Sequence, residues 1–241
     1  MMKDNRNADE YNDEQDSIID AKESNAVGAI VQRNAKIIIV ASIAIIILVG
    51  LILLFKSNNA KKEQNATMAL SRIENYYFEG RFEDALYAPD SLPTVRGDVV
   101  IGLIKIVNEY GSTKAGERAA LFAGDAYYQL GKYSESQTYF EKAIQSKVDE
   151  VKIGGYAGVA SCNERDGKLK DAAANYNKAA SMISDDGLSL RYFYFSGLCY
   201  EKVGEKDKAK EIYQNIINKN KFGEFNNYAK AGLVRLGGEV D

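Results

Sequence analysis

Apolar residues follow two different patterns along the chain. From Ile37 to Phe55 they run unbroken as IIIVASIAIIILVGLILLF, bracketed by Lys36 and Lys56. At a rise of ~1.5 Å per residue such a helix spans ~28 Å, about one hydrocarbon core. A helix apolar on every face belongs in lipid or in a large core. The run therefore predicts a transmembrane helix over residues 36–56, with Ile37 and Phe55 as its apolar limits. A cleaved signal peptide fits less well. An acidic stretch precedes the run, and KSNNAKKEQ, with no small-residue cleavage pattern, follows it.

The second pattern is repeated. GDAYYQLGKYSESQTYFEKAI (Gly124 to Ile144), ASCNERDGKLKDAAANYNKAA (Ala160 to Ala180) and GLCYEKVGEKDKAKEIYQNII (Gly197 to Ile217) align without gaps. Their central glycines, Gly131, Gly167 and Gly204, lie 36 and 37 residues apart. Each glycine closes a first helix, because glycine adopts the left-handed C-terminal cap at no steric cost. Gly124, Ala160 and Gly197 are small where that helix approaches its partner, and Ser136, Ala172 and Ala209 are small in the second helix. Phe140, Tyr176 and Tyr213 are aromatic plugs, with Ala143, Ala179 and Ile216 one turn later. This pattern resembles the tetratricopeptide repeat, a helical hairpin of about 34 residues.

Clear repeats are assigned to residues 117–150, 153–186 and 190–223. A weaker unit precedes them: Tyr76, Gly80, Phe82 and Ala85 hold the same relative places, but Pro89 falls where the plug should be. The spacing predicts a break at Pro89–Pro93 and then a helix from about Asp98 to Tyr110. FNNYAKAGLVRL (Phe225 to Leu236) is amphipathic and predicts a capping helix. The fold class is all-α: one N-terminal transmembrane helix, then an α-solenoid. The segments are a tail (1–35), the transmembrane helix (36–56), a linker (57–63) and the repeat domain (64–241).

Composition narrows the chemistry. The net charge is −3, and the acidic excess lies in the tail, where residues 1–36 hold five Lys/Arg and eight Asp/Glu. That tail has too few apolar residues to offset ordering and is expected to be disordered. A near-neutral chain gives no basis for nucleic-acid binding. Histidine is absent, so no imidazole base or ligand is available. Phosphate-loop, dinucleotide and metalloprotease motifs are missing. The reading is therefore a non-enzyme with no cofactor, no metal and no small-molecule substrate. Cys162 and Cys199 share one slot in successive repeats. Equivalent helices ~8–10 Å apart exceed the ~7 Å reach of a disulfide, which predicts two buried free thiols.

In the order of tail, apolar helix, short basic linker and repeats, the chain resembles the bacterial inner-membrane proteins that are ancillary to the Sec translocon. That resemblance implies a cytoplasmic N-terminus, a repeat domain on the periplasmic side, and a chaperone-like or scaffolding role with translocon subunits or exported clients as partners. The residues themselves leave orientation open, with Lys22, Arg33 and Lys36 on one side against Lys56, Lys61, Lys62 and Arg72 on the other.

First helices of such an array line a concave face. The register puts Leu121, Phe122, Asp125 and Tyr128 there from the first clear repeat. Ala157, Ser161, Glu164 and Arg165 follow from the second, and Tyr194, Phe195, Leu198 and Glu201 from the third. This set is aromatic, aliphatic or acidic, unlike a clamp for a terminal carboxylate, and suits an amphipathic helix or an apolar extended segment. Any of these aromatics could instead pack on the next helix. A tethered adaptor and a permanent subunit of another envelope complex both fit.

Overall fold

The computed structural model describes residues 33–239 apart from 90, 91, 93, 96, 185 and 220–222. The tail expected over 1–35 falls almost wholly outside these residues, as does Pro93. Ten helices and no strand occur among the described residues. In chain order they are α1 (Ala35–Phe78), α2 (Phe82–Tyr87), α3 (Leu103–Tyr110), α4 (Lys114–Gln129), α5 (Tyr133–Ile144), α6 (Asp149–Arg165), α7 (Leu169–Ser181), α8 (Asp186–Lys202), α9 (Lys206–Lys219) and α10 (Glu224–Arg235). The chain divides into two units, Met1–Asn58 and Asn59–Asp241.

The first unit holds the apolar part of α1. It is long and apolar enough to cross a membrane, and its most apolar window is entirely unburied by protein. Ile37 and Phe55 are exposed, as are the other described large side chains between them. Residues 57–63, expected as a linker, are helical within α1.

The second unit is a TPR-like succession of helical hairpins: α4–α5, α6–α7 and α8–α9, followed by α10. The same turn closes each first helix. Gly80, Gly131, Gly167, Gly204 and Gly237 all have φ between 74° and 84°. At each, two backbone bonds cap the helix, as in Gly131 N–H to Tyr128 O and Lys132 N–H to Tyr127 O. That pair is the Schellman arrangement, in which a left-handed residue satisfies the last free carbonyls. The turn at Gly80 places the irregular N-terminal unit, α1 with α2, in the same scheme. Gly237 gives the last helix the same ending.

The aromatic plugs behave as the sequence pattern predicts. Phe140 and Tyr213 are buried, and a Cβ added at Gly124 or Gly158 would come within 2.7 or 2.4 Å of the Phe140 ring. Gly197 and Gly232 enclose Tyr213 in the same way, at 2.6 and 2.5 Å. Each plug is thus gripped between its own hairpin's first helix and the next one. The buried serines of this core leave no donor unpaired. Ser136 donates to the Gly124 carbonyl at 2.8 Å and Ser196 to that of Ala173 at 2.9 Å; the remaining desolvation cost of each hydroxyl is small.

One boundary differs from the sequence pattern. The helix expected from about Asp98 begins at Leu103. Gly97 turns at φ 84°, and Val95 and Asp98 exchange backbone hydrogen bonds instead. Gly102 then lies against α2 so closely that a Cβ would sit 2.3 Å from the Leu86 carbonyl oxygen, which fixes where α3 can start. The apolar stretch is buried on one face through Val100, Leu103, Ile106 and Val107, packed with Leu70, Ile73 and Leu86. Glu63 ties this region to the array, accepting from the Lys114 and Ala115 amides at 2.8 and 3.0 Å. A carboxylate there satisfies free amides at the start of α4 and complements its dipole.

Cys162 and Cys199 are buried free thiols, each 1% exposed. Burial pushes the Cys162 thiol up and raises that of Cys199 to about 11, so both act as small hydrophobes.

Candidate functional site

The register of the repeats explains where space opens. Two slots of each first helix face the preceding hairpin. They hold Ala119 and Phe122 on α4, Gly155 and Gly158 on α6, and Tyr192 and Phe195 on α8. Glycines let α6 settle onto α5 and lie near α4, and Gly232 lets α10 lie near α8. The rings of Tyr192 and Phe195 meet Tyr176, at 6.3 and 5.5 Å between centroids. The first helices α6 and α8 approach each other less closely than α4 and α6 or α8 and α10 do. A hollow opens where α6 carries glycine and α8 carries aromatic residues in these slots.

The hollow has a volume of about 370 Å³. Leu121, Phe122, Asp125 and Tyr128 from α4, Ala157 and Ser161 from α6, and Phe195 from α8 line it. Tyr77 closes one end, stacked on Phe122 at 4.7 Å, and its hydroxyl donates to Asp125 at 2.6 Å. Burial and that carboxylate both push the Tyr77 phenol up, which keeps it a neutral donor. Tyr128, Ser161 and Tyr176 are shared with a second, more polar hollow of about 380 Å³, which adds Glu164, Arg165, Leu169 and Lys202. The two form one groove across the first helices.

The polar half is wired through the plug. Ser161 and the Tyr176 hydroxyl lie 3.1 Å apart, the Tyr176 hydroxyl donates to Glu164 at 3.5 Å, and Lys202 pairs with Glu164 at 2.6 Å. The Arg165 guanidinium sits 4.6 Å above the Tyr133 ring, and that of Arg191 sits 5.5 Å above Phe195. Among the described residues no group of His, Cys, Asp and Glu side chains could hold a metal ion.

Three predicted groove residues are placed elsewhere. Tyr194 is one residue from Phe195, a rotation of about 100° on a helix, and so turns toward α10. It lies 6.0 Å from Tyr213, 6.1 Å from Phe225 and 5.4 Å from Tyr228. Glu201 holds Arg235 through two bonds of 2.8 and 2.9 Å and accepts from Tyr213 at 2.7 Å. Leu198, half-buried, lines neither hollow. In their place stand Tyr77, Gln129, Gly154, Arg191 and Tyr192. Tyr192 and Arg191 were legible as the partners of Gly155 and Gly154 in the register. Tyr77 was not, because the first unit departs from the repeat.

Residues 117–147 and 190–218 match the family model for the tetratricopeptide repeat. The hairpin α6–α7 lies between the two matched segments and has the same turn and plug. Tetratricopeptide repeats bind protein partners, which makes protein–protein interaction the function class this domain supports. A comparison with curated proteins finds no match.

Proposed function

We propose that the chain is a membrane-anchored adaptor that holds a protein segment in the groove across α4, α6 and α8. The observation that carries this reading is the groove itself: aromatic walls from Tyr77, Phe122, Tyr128, Tyr192 and Phe195 with a few hydrogen-bonding groups among them. Apolar walls with sparse polar groups suit a peptide side chain that must be both buried and oriented. The anchor is the α1 segment around Ile37 to Phe55. Tethering a binding domain beside a membrane complex raises its effective concentration there.

The test is fluorescence titration of the full-length protein in detergent micelles with labelled amphipathic peptides. Phe122→Ala combined with Phe195→Ala should weaken binding at least tenfold while leaving helical content unchanged. Unchanged affinity refutes the groove as the binding site.

The finer reading is that this adaptor serves a bacterial Sec translocon from the inner membrane, with a cytoplasmic N-terminus and a chaperone-like role toward exported clients. What supports it is the resemblance in segment order. Brief cross-linking and mass spectrometry, with and without residues 1–56, decides it. Channel subunits recovered only with the anchored form support the translocon role. A different complex in fixed stoichiometry makes the chain a structural subunit of that complex.

A further inference from the structure

The groove carries an asymmetry of charge that residue counting hides. Its charged lining comprises Asp125 and Arg191 in the apolar half and Glu164, Arg165 and Lys202 in the polar half. Both carboxylates are already engaged. Asp125 accepts from the Tyr77 hydroxyl at 2.6 Å and from Gln129 at 3.4 Å. Glu164 is neutralised by Lys202 at 2.6 Å and accepts from Tyr176. The two arginines are not engaged in this way. Among the described residues no carboxylate lies within salt-bridge distance of Arg165 or Arg191, and each guanidinium is held over an aromatic ring. Both arginines are exposed, and a guanidinium over a ring keeps its N–H groups available to a carboxylate. Such a fork accepts a carboxylate through two parallel bonds without first losing side-chain freedom.

Resting on the groove reading above, we infer that the occupant is a segment with an apolar anchor flanked by Asp or Glu side chains, which Arg165 and Arg191 read. The anchor enters the aromatic hollow between Phe122 and Phe195. Because Arg191 lines the apolar half and Arg165 the polar half, the acidic residues stand on both sides of the anchor. Lysine-flanked segments meet two unpaired cations and are disfavoured.

An array of nonapeptides with a central Leu-Phe-Leu, acetylated and amidated so that only side chains carry charge, tests this on the full-length protein in detergent. The flanking pairs are Asp-Glu, Asn-Gln or Lys-Lys. The acidic set should bind about five- to tenfold more tightly than the neutral set, a scale that fits two partly exposed ion pairs. It should lose most of that preference in 0.5 M salt. Arg165→Gln with Arg191→Gln should equalise the acidic and neutral sets. Equal binding of all three sets by the unaltered protein, or a preference for lysine, overturns the charge reading and leaves the groove standing. An unaltered preference in the double variant also overturns it. Retention of no peptide of any charge overturns the groove reading itself.

Discussion

Two adjacent glycines of α6 offer a controlled perturbation. Gly154 and Gly155 share a helix and a sequence context, so replacing either by alanine gains the same ~1 kcal/mol of helix propensity. What the new methyl meets differs. At position 154 it would lie 2.8 Å from one Leu121 methyl carbon and 2.9 Å from the other, both at the tip of a flexible side chain. At position 155 it would lie 2.7 Å from the Ile144 nitrogen and 3.0 Å from the Ala143 carbonyl carbon and the Phe140 oxygen. Those are backbone atoms at the end of α5, and they can yield only if the two helices separate. Overpacking of that kind costs ~1–3 kcal/mol. The propensity term cancels between the two variants, so their difference in stability is the clash alone. At ~2–4 °C per kcal/mol for a domain of this size, Gly155→Ala should melt about 2–12 °C below Gly154→Ala. Circular dichroism at 222 nm on the full-length protein in detergent measures this, with the apolar part of α1 as a common baseline. Gly154→Ala should match or slightly exceed the unaltered protein. If Gly155→Ala melts within a degree of Gly154→Ala, close helix approach is not what the Gly155 slot is for, and the account of the groove's spacing fails with it.

Two further outcomes follow from the titratable groups. Hydrogen bonds from Arg235 hold the Glu201 carboxyl below its ordinary value of 4.5, against some burial. Its folded pKa is thus depressed, so the contribution is present above pH 4.5 and lost as pH falls through the folded value. Arg235→Gln should therefore flatten the loss of melting temperature between pH 5 and pH 3, whereas an unchanged acid limb refutes the linkage. Cys162 and Cys199 should react with a maleimide or with a disulfide reagent only on unfolding. Rapid reaction of either thiol in the native protein at pH 8 contradicts a burial that raises Cys199 to about 11.

Much of the fold was legible because its signals are local and repeated. The turn at Gly131 recurs at Gly167 and Gly204, and each needs only a glycine at the end of a helix, so the sequence shows it directly. The plugs were legible for the same reason. Part of the groove's lining stands where the register puts it: Leu121, Phe122, Asp125, Tyr128, Ala157, Ser161 and Phe195 line its apolar half, and Glu164 and Arg165 its polar half. What failed to show was set by tertiary contacts. The start of α3 depends on Gly102 meeting the Leu86 backbone from another helix. Tyr194 and Glu201 leave the groove because Arg235, Phe225 and Tyr228 of α10 engage them, contacts made between one helix and another rather than within a repeat.

The last helix also accounts for why the groove ends where it does. In slots that face the preceding hairpin, α6 carries Gly155 and Gly158 and lies near α4, while α8 carries Tyr192 and Phe195 and packs on α7 but stands away from α6. With Gly232 against Tyr213, α10 closes up again, and its Tyr228 and Phe225 cover the Tyr194 ring that would have continued the aromatic wall. As the proposed binding surface, one wide interval between two narrow ones suits a short segment rather than a long helix. Phe195→Gly, which would restore the small residue of α6 to α8, should therefore let α8 settle toward α6 and abolish binding of an apolar anchor. Phe195→Leu, which keeps a large side chain in the gap, should preserve most of it. Equal binding by the two variants would mean that the ring's own contacts and the spacing it imposes are both irrelevant to the groove.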